Sequence, residues 1–503
     1  MIKTISRTIF NDLGVLLLLG LARLLVHTLT NGQYGFHRDE LATLDDARYL
    51  AWGYVAYPPV TPFIARVARE LFGASLVGVR FFSALAQSIV MVLAGLMAHE
   101  LGGSRRAQVV TALAVAIVPL SLIQGALLQY VSFDYLWWVV VAYLTIRLLK
   151  SEDPRWWVGI GAVIGLGMLT RYTMAFLVAG IVVAVALTQA RRYLASPWLW
   201  GGAALALLIV LPNLIWQVQH NFITLEYLRA IHARDIQIGR TQGFLIEQFI
   251  VCANLFTIPF WVAGLYFYFF TPAGARYRML GWMYLIPFVL LLALQGRSYY
   301  LAPAYPMLIA AGVVAWERWL ATLPVRIARF ALGATWAALA IGGVLFSLVM
   351  LPIAPINSGL WRLTSQVHDN FVEEIGWPEL VETVAGIYAG LPVEERARTG
   401  ILAGNYGEAG AINLYGSNYG LPEAISGVNS YWLRGYGQPS PTTLIVLGYS
   451  RDAVQRFFET CDRAGQITNR YRVANEEYQR EIFVCRRPRQ PWPALWESLK
   501  RFG

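Results

Sequence analysis

Apolar runs of about 20 residues recur through the first 350 positions of this 503-residue chain, and they leave few folds open. A run of that length crosses the hydrocarbon core of a bilayer as a helix, because a lone segment there must satisfy its own backbone. Hydrophobic residues make up 57% of the chain and charged residues 14%, where a soluble domain carries roughly 25% charged residues. The sequence therefore reads as a polytopic α-helical membrane protein. A net charge of +10 would suggest nucleic acid in a soluble protein. Here the positive-inside rule accounts for it, and the partner is the lipid bilayer, with no nucleic acid.

Candidate spans are 11–30, 79–98, 107–124, 131–149, 157–170, 173–189, 198–216, 246–270, 279–295, 300–320 and 329–352. With the N-terminus inside, Lys3, Arg7, Arg105, Arg106, Arg147, Lys150, Arg155, Arg191, Arg192, Arg276, Arg278, Arg318, Arg326 and Arg329 all fall inside. That asymmetry predicts about eleven crossings and an outer C-terminus. Lys3 and Arg7 precede the first apolar run, but no small-residue cleavage site follows it, so it reads as a retained span.

Residues 1–352 thus form a transmembrane domain. Its long outer loops, 31–78 and 217–245, read as interfacial amphipathic helices. Residues 353–503 have the composition of a soluble domain. Candidate strands Thr399–Ala403, Thr443–Gly448 and Glu481–Cys485 and candidate helices 377–390 and 451–461 predict a small α/β extracytoplasmic domain. Cys252 sits in an apolar run and reads as a small core residue, whereas Cys461 and Cys485 both fall where oxidising conditions permit a disulfide.

The chemistry-bearing residues gather at the outer ends of spans. Asp39 and Glu40 follow the first span, and carboxylates beside a bilayer are a functional-site hypothesis by default. A helix through 39–50 would set Asp39, Asp46 and Glu40 near one cleft, with Asp45 on a solvated face. His37-Arg38-Asp39 spells the start of a kinase catalytic loop, but position 44 is Leu where that loop needs Asn, which excludes the reading. Tyr57-Pro58-Pro59 turns the chain at headgroup level, and Tyr57 and Pro58 are candidates for a pocket wall. Asp134 stands at the outer end of SFDYLWW, either as a functional acid or, with Ser132, as a helix cap. Arg171 and Tyr172, and Arg297, Tyr299 and Tyr300, occupy outer positions where cations are not expected. Two such arginines suit a lipid phosphate. The glycines of Gly404–Gly410 are spaced GxxGxxG, unlike the dinucleotide fingerprint, and read as turn residues.

Taken in order, RDEL, WGYVAYPPV, SFDYLWW, GLGMLTRY, GRSYYLAPAYP and the outer NYGEAGAINLYG…GLPEAISGVNSYWLRG resemble bacterial glycosyltransferase family 39 of the GT-C superfamily. This group includes relatives of protein O-mannosyltransferases and of the aminoarabinose transferase of lipid A. The resemblance covers nearly the whole chain. It implies an inverting transfer of a sugar from a polyprenyl-phosphate donor to an acceptor hydroxyl at the outer face of the bacterial cytoplasmic membrane, the acceptor being unknown. It implies Asp39 as base, Asp134 as a second acid, and Arg171, Arg297, Tyr299 and Tyr300 at the donor phosphate. Many relatives carry two aromatic residues after DEL and an acid before PP. Ala42-Thr43 and Ala56-Tyr57 stand there in this chain. No metal ligand is therefore predicted, and a divalent metal is the one cofactor left open. A polyprenyl-lipid transporter or flippase would account for the helices and outer cations but not for the acids or the soluble domain. A non-catalytic partner subunit is the third reading.

Overall fold

The computed structural model describes residues 2–503, with side chains from Asn11 onward; the side chains of Lys3 and Arg7 lie outside the described residues. The chain divides into two compact units. The first comprises Met1–Asn31, Arg80–Gln219 and His232–Leu351, and the second Gly32–Val79, His220–Ile231 and Pro352–Gly503. Of the two long loops expected to lie at the membrane interface, the first clusters with the C-terminal residues, whereas the second is divided and only His220–Ile231 does so.

The first unit is helical. Among the described residues, seven helices are long and apolar enough to cross a bilayer: Asn11–Thr30, Leu76–Glu100, Tyr130–Ser151, Pro197–Gln219, Ala275–Ala293, Ser298–Leu320 and Val325–Met350. Two more segments are bent pairs, Arg105–Ala116 with Pro119–Ala126 at 66° and Met174–Leu187 with Gln189–Ala195 at 98°. Pro119 forces the first break, since its ring clashes with the preceding turn. At the second, Thr188 is extended and its hydroxyl caps the next turn through Ala190 N. The apolar helices Trp156–Met168 and Ile258–Phe270 are shorter. The described residues thus hold seven apolar spans, or nine if each bent pair is one, against the eleven expected.

The expected single span 246–270 is instead broken. Asn254 Oδ1 accepts from the Phe256 and Thr257 amides at 3.0 and 3.1 Å, which turns the chain before Pro259 opens the second helix. Small residues set the helix packing. A Cβ on Gly161 would collide with the Gly202 carbonyl, so these two helices touch backbone to backbone. Leucines face outward on the first helix, with Leu18 67% and Leu29 73% exposed, as a lipid-facing side requires.

The second unit is built on a five-stranded sheet. Its strands are β1 Thr399–Ala403, β2 Ala424–Ile425, β3 Thr443–Leu447, β4 Phe458–Gln466 and β5 Glu481–Pro488, in the order β2-β1-β3-β5-β4. β1 runs parallel to β2 and β3, while β5 runs antiparallel to β3 and β4. Every residue of β3 is buried, which suits a strand covered on both faces. β4 ends the sheet, and its charged, exposed residues protect that edge. Cys461 and Cys485 lie opposite one another across β4 and β5 and form a disulfide. Helix Trp377–Gly390 forms as expected. The helix expected over 451–461 stops at Phe457, because residues from Phe458 pair with β5 instead.

Candidate active site

Helix Arg38–Asp46 carries the acids of the second unit. It begins with a capping box in which Glu40 accepts from the His37 amide at 2.9 Å, and Glu40 is fully buried. Asp39 is different. Its side chain is 34% exposed, and Oδ1 accepts from the Tyr406 hydroxyl at 2.9 Å. Of the adjacent pair, Asp39 is the one able to meet a substrate, while Glu40 holds the helix start.

The helix ends at Asp46, not at position 50, with Ala47 as its C-cap. Asp45, expected on a solvated face, is buried at 3% exposure. Its carboxylate accepts from Arg434 at 2.6 Å, Arg48 at 2.9 Å and Asn413 at 3.0 Å. A buried charge needs such partners, and the sequence could not show that they lie up to 389 positions away. Asp46 also pairs with Arg434 and accepts from Tyr57 at 2.5 Å. Burial pushes the Asp46 carboxyl up to about 6, although Arg434 and Tyr57 both favour its ionised form. Tyr57 and Asp46 are thus in direct contact. Pro58 is buried beside them, and Pro59 opens helix Val60–Phe72.

Gly407 and Gly410, read as turn residues, instead lie inside helix Tyr406–Tyr415. They let it approach the acid-bearing helix, since a Cβ at Gly410 would sit 2.7 Å from the Leu41 backbone.

The first unit holds the cations. Arg171 is 9% exposed and is ringed by Tyr300, Tyr130 and Tyr299, whose centroids lie 4.3, 4.7 and 5.3 Å from its guanidinium carbon. Cation–π contact of this kind stabilises a guanidinium held away from water. Asp134 is 4.0 Å from Arg171 and accepts from the Thr173 hydroxyl at 2.9 Å. It therefore does not cap its helix, which starts at Tyr130. Ser132 does not cap it either, and donates to the Gln124 carbonyl. Arg297 pairs with buried Asp235 at 2.6 Å. The Tyr299 hydroxyl receives hydrogen bonds from both arginines, at 3.2 Å from Arg297 and 3.4 Å from Arg171. Arg171, Arg297, Tyr299, Tyr300 and Asp134 are therefore one cluster.

Sequence reading missed Asp235, Tyr130, Tyr406 and Arg434. Asp235 had a usable signal, an acid in the amphipathic segment facing an unexplained outer arginine. Among the described residues, no group of three or more His, Cys, Asp or Glu is arranged to hold a metal ion.

Comparison with known proteins follows this geometry. Residues 56–216 match the family described as dolichyl-phosphate-mannose-protein mannosyltransferase. The lipid A galacturonosyltransferase RgtD of Rhizobium johnstonii is 26% identical over 269 residues, which are 50% of this chain and 55% of that protein, so the likeness spans about half of its length. The crystal structures of ArnT from Cupriavidus metallidurans, apo and bound to undecaprenyl phosphate, superpose with a TM-score of 0.57 at 16% identity, covering 93% of this chain and 97% of theirs. The Archaeoglobus fulgidus oligosaccharyltransferase in complex with Zn and sulfate gives a TM-score of 0.50 at 12% identity over 87% of this chain and 68% of that one. These findings agree with the resemblance carried by the motifs: residues 56–216 are similar to the mannosyltransferase family, and the chain shares the fold of the ArnT structures.

Proposed function

We propose that this protein moves a sugar from a polyprenyl-phosphate donor to an acceptor hydroxyl, with inversion at the anomeric carbon, at the outer face of the bacterial cytoplasmic membrane. The observation that carries this reading is the part-buried Arg171–Tyr299–Arg297 cluster, two guanidinium groups sharing one hydroxyl inside a helical unit. Such a cluster fits an anionic lipid headgroup. The undecaprenyl phosphate bound by the ArnT of similar fold supports the same donor class.

In the proposed reaction the Asp39 carboxylate takes the proton of the acceptor hydroxyl as its oxygen attacks the anomeric carbon. The bond from that carbon to the phosphate oxygen breaks, and its electron pair leaves with the phosphate. Arg171 and Arg297 stabilise the charge that develops there. Asp134 holds Arg171 in place, and Tyr57 with Asp46 shapes the pocket of the second unit. The C-terminal residues are placed outside the cytoplasm. The relative's activity favours a glycolipid acceptor, with lipid A the first to try.

The test is to incubate purified protein in liposomes with radiolabelled polyprenyl-phosphate sugars and a lipid A-containing membrane extract. Label is expected to move to a new acceptor. Label that only crosses the bilayer would establish a flippase and overturn the proposal.

A further inference from the structure

We infer that Tyr406 is the residue that positions Asp39, so that a helix of the C-terminal region aims the base. This rests on Asp39 being the base, as proposed above. Tyr406 opens helix Tyr406–Tyr415, and a capping box fixes its backbone. Asn405 Oδ1 accepts from the Glu408 amide at 2.9 Å, and Glu408 accepts from the Asn405 and Gly404 amides at 3.1 and 2.8 Å.

The ring is fixed as firmly as the backbone. The Arg38 guanidinium stands over it at 5.0 Å and is tied to Glu476 at 2.5 Å and Glu373 at 3.8 Å. A Cβ at Gly407 would sit 2.8 Å from the Trp377 ring and 2.9 Å from Arg38 Cβ, and one at Gly410 would press on Leu41. Only glycine at these two positions brings the helices near enough for the hydroxyl to reach Asp39 Oδ1 at 2.9 Å.

Burial, and next the adjacent Asp39, keep the Tyr406 hydroxyl protonated and therefore a donor. A donor fixed on one oxygen sets the plane of the carboxylate and confines the other oxygen to a narrow arc. A base must lie within hydrogen-bond reach of the proton it takes, so this orientation bears on rate more than on donor affinity. Tyr406 touches no reacting atom in this scheme and acts through Asp39.

A double-mutant cycle on the full-length protein tests this. Tyr406→Phe keeps the ring under Arg38 and removes only the hydroxyl. It is expected to lower kcat about tenfold, in line with loss of one hydrogen bond to a charged group, with donor KM changed less than about twofold and an unchanged melting temperature. In the Asp39→Asn background, single-turnover transfer is expected to be indifferent to Tyr406→Phe, because the hydroxyl has no base left to aim. If the same tenfold loss appears in both backgrounds, the hydroxyl serves the fold alone and the inference is overturned. An unchanged kcat in Tyr406→Phe, with Asp39→Asn inactive, also overturns it and leaves the proposed function standing. Near-native transfer by Asp39→Asn itself overturns the base assignment and this inference together.

Discussion

The helical unit and the mixed unit hold their charged groups by different means. In the first, Arg171 and Arg297 have a carboxylate each, Asp134 and Asp235, and three tyrosine rings enclose Arg171. In the second, three acids of one nine-residue helix take partners from far along the chain. Tyr406 reaches Asp39, Asn413 reaches Asp45, and Arg434 bridges Asp45 and Asp46 between the rings of Tyr431 and Tyr49 at 4.6 and 4.7 Å. The contrast separates two kinds of dependence. On the proposed function, removing an acid of the second unit should disturb chemistry or folding according to which acid it is, whereas removing Arg171 or Arg297 should weaken donor binding as well as slow the chemical step.

The largest effect is expected at Asp39. Asp39→Asn keeps the size and the hydrogen bond from Tyr406 but removes the base, so turnover should fall at least about a hundredfold. Donor affinity measured by equilibrium binding should stay within about twofold. Equal loss in both measurements would erase the division of labour between the two units.

Asp45→Asn comes next, and its effect should appear in stability. The amide retains shape but weakens the bonds to Arg434 and Arg48, and a weakened buried ion pair costs about 2 kcal/mol. Denaturant unfolding monitored on the C-terminal region should show that loss. Unchanged stability would mean that Asp46 alone suffices for Arg434.

The cations should show a smaller, cleaner change. Arg297→Ala is expected to weaken donor binding about tenfold, the value of one good charge-assisted contact. It also strands buried Asp235, so the paired variant Arg297→Ala with Asp235→Asn separates binding from folding. Full donor affinity in the pair would remove Arg297 from the phosphate site.

The two units also differ in how far the sequence disclosed them. Arg171 and Arg297 were legible because the positive-inside rule makes an outer cation anomalous, and that anomaly needs no knowledge of tertiary contacts. Asp134 stood out in the sequence as an acid at the end of a span, but its partner Thr173 did not. Asp45 was misread, since the pattern of a short helix says which faces differ but not what covers them. The strand that replaced residues 458–461 of the expected helix follows the same logic. Phe458 and Cys461, three apart, fit a helical period and not a strand's, and pairing with β5 overrode it. The break at Asn254 was hidden because an apolar run continues through it, while a single side chain turns the backbone.

The smallest effect concerns Glu408, which holds the loop that presents Tyr406. Its carboxyl is buried at 1% exposure, and burial, with Glu477 nearby, raises it from an ordinary carboxylate value to about 8. The folded protein therefore keeps a proton on Glu408 that the unfolded chain releases above about pH 4.5. Between those two values the native state binds more protons than the unfolded one, so stability falls as pH rises and levels off above about pH 8. Glu408→Gln mimics the protonated acid. Its oxygen can still accept from the Gly404 and Asn405 amides, and it carries no charge to bury. The variant should match the parent at pH 5 and melt about 1–2 °C higher at pH 8.5, a shift of the size that about 1–2 kcal/mol gives in a chain this long. Scanning calorimetry at the two pH values decides it. A variant that melts lower at pH 8.5 would show that the ionised Glu408 gains more from its two amide donors than burial costs it.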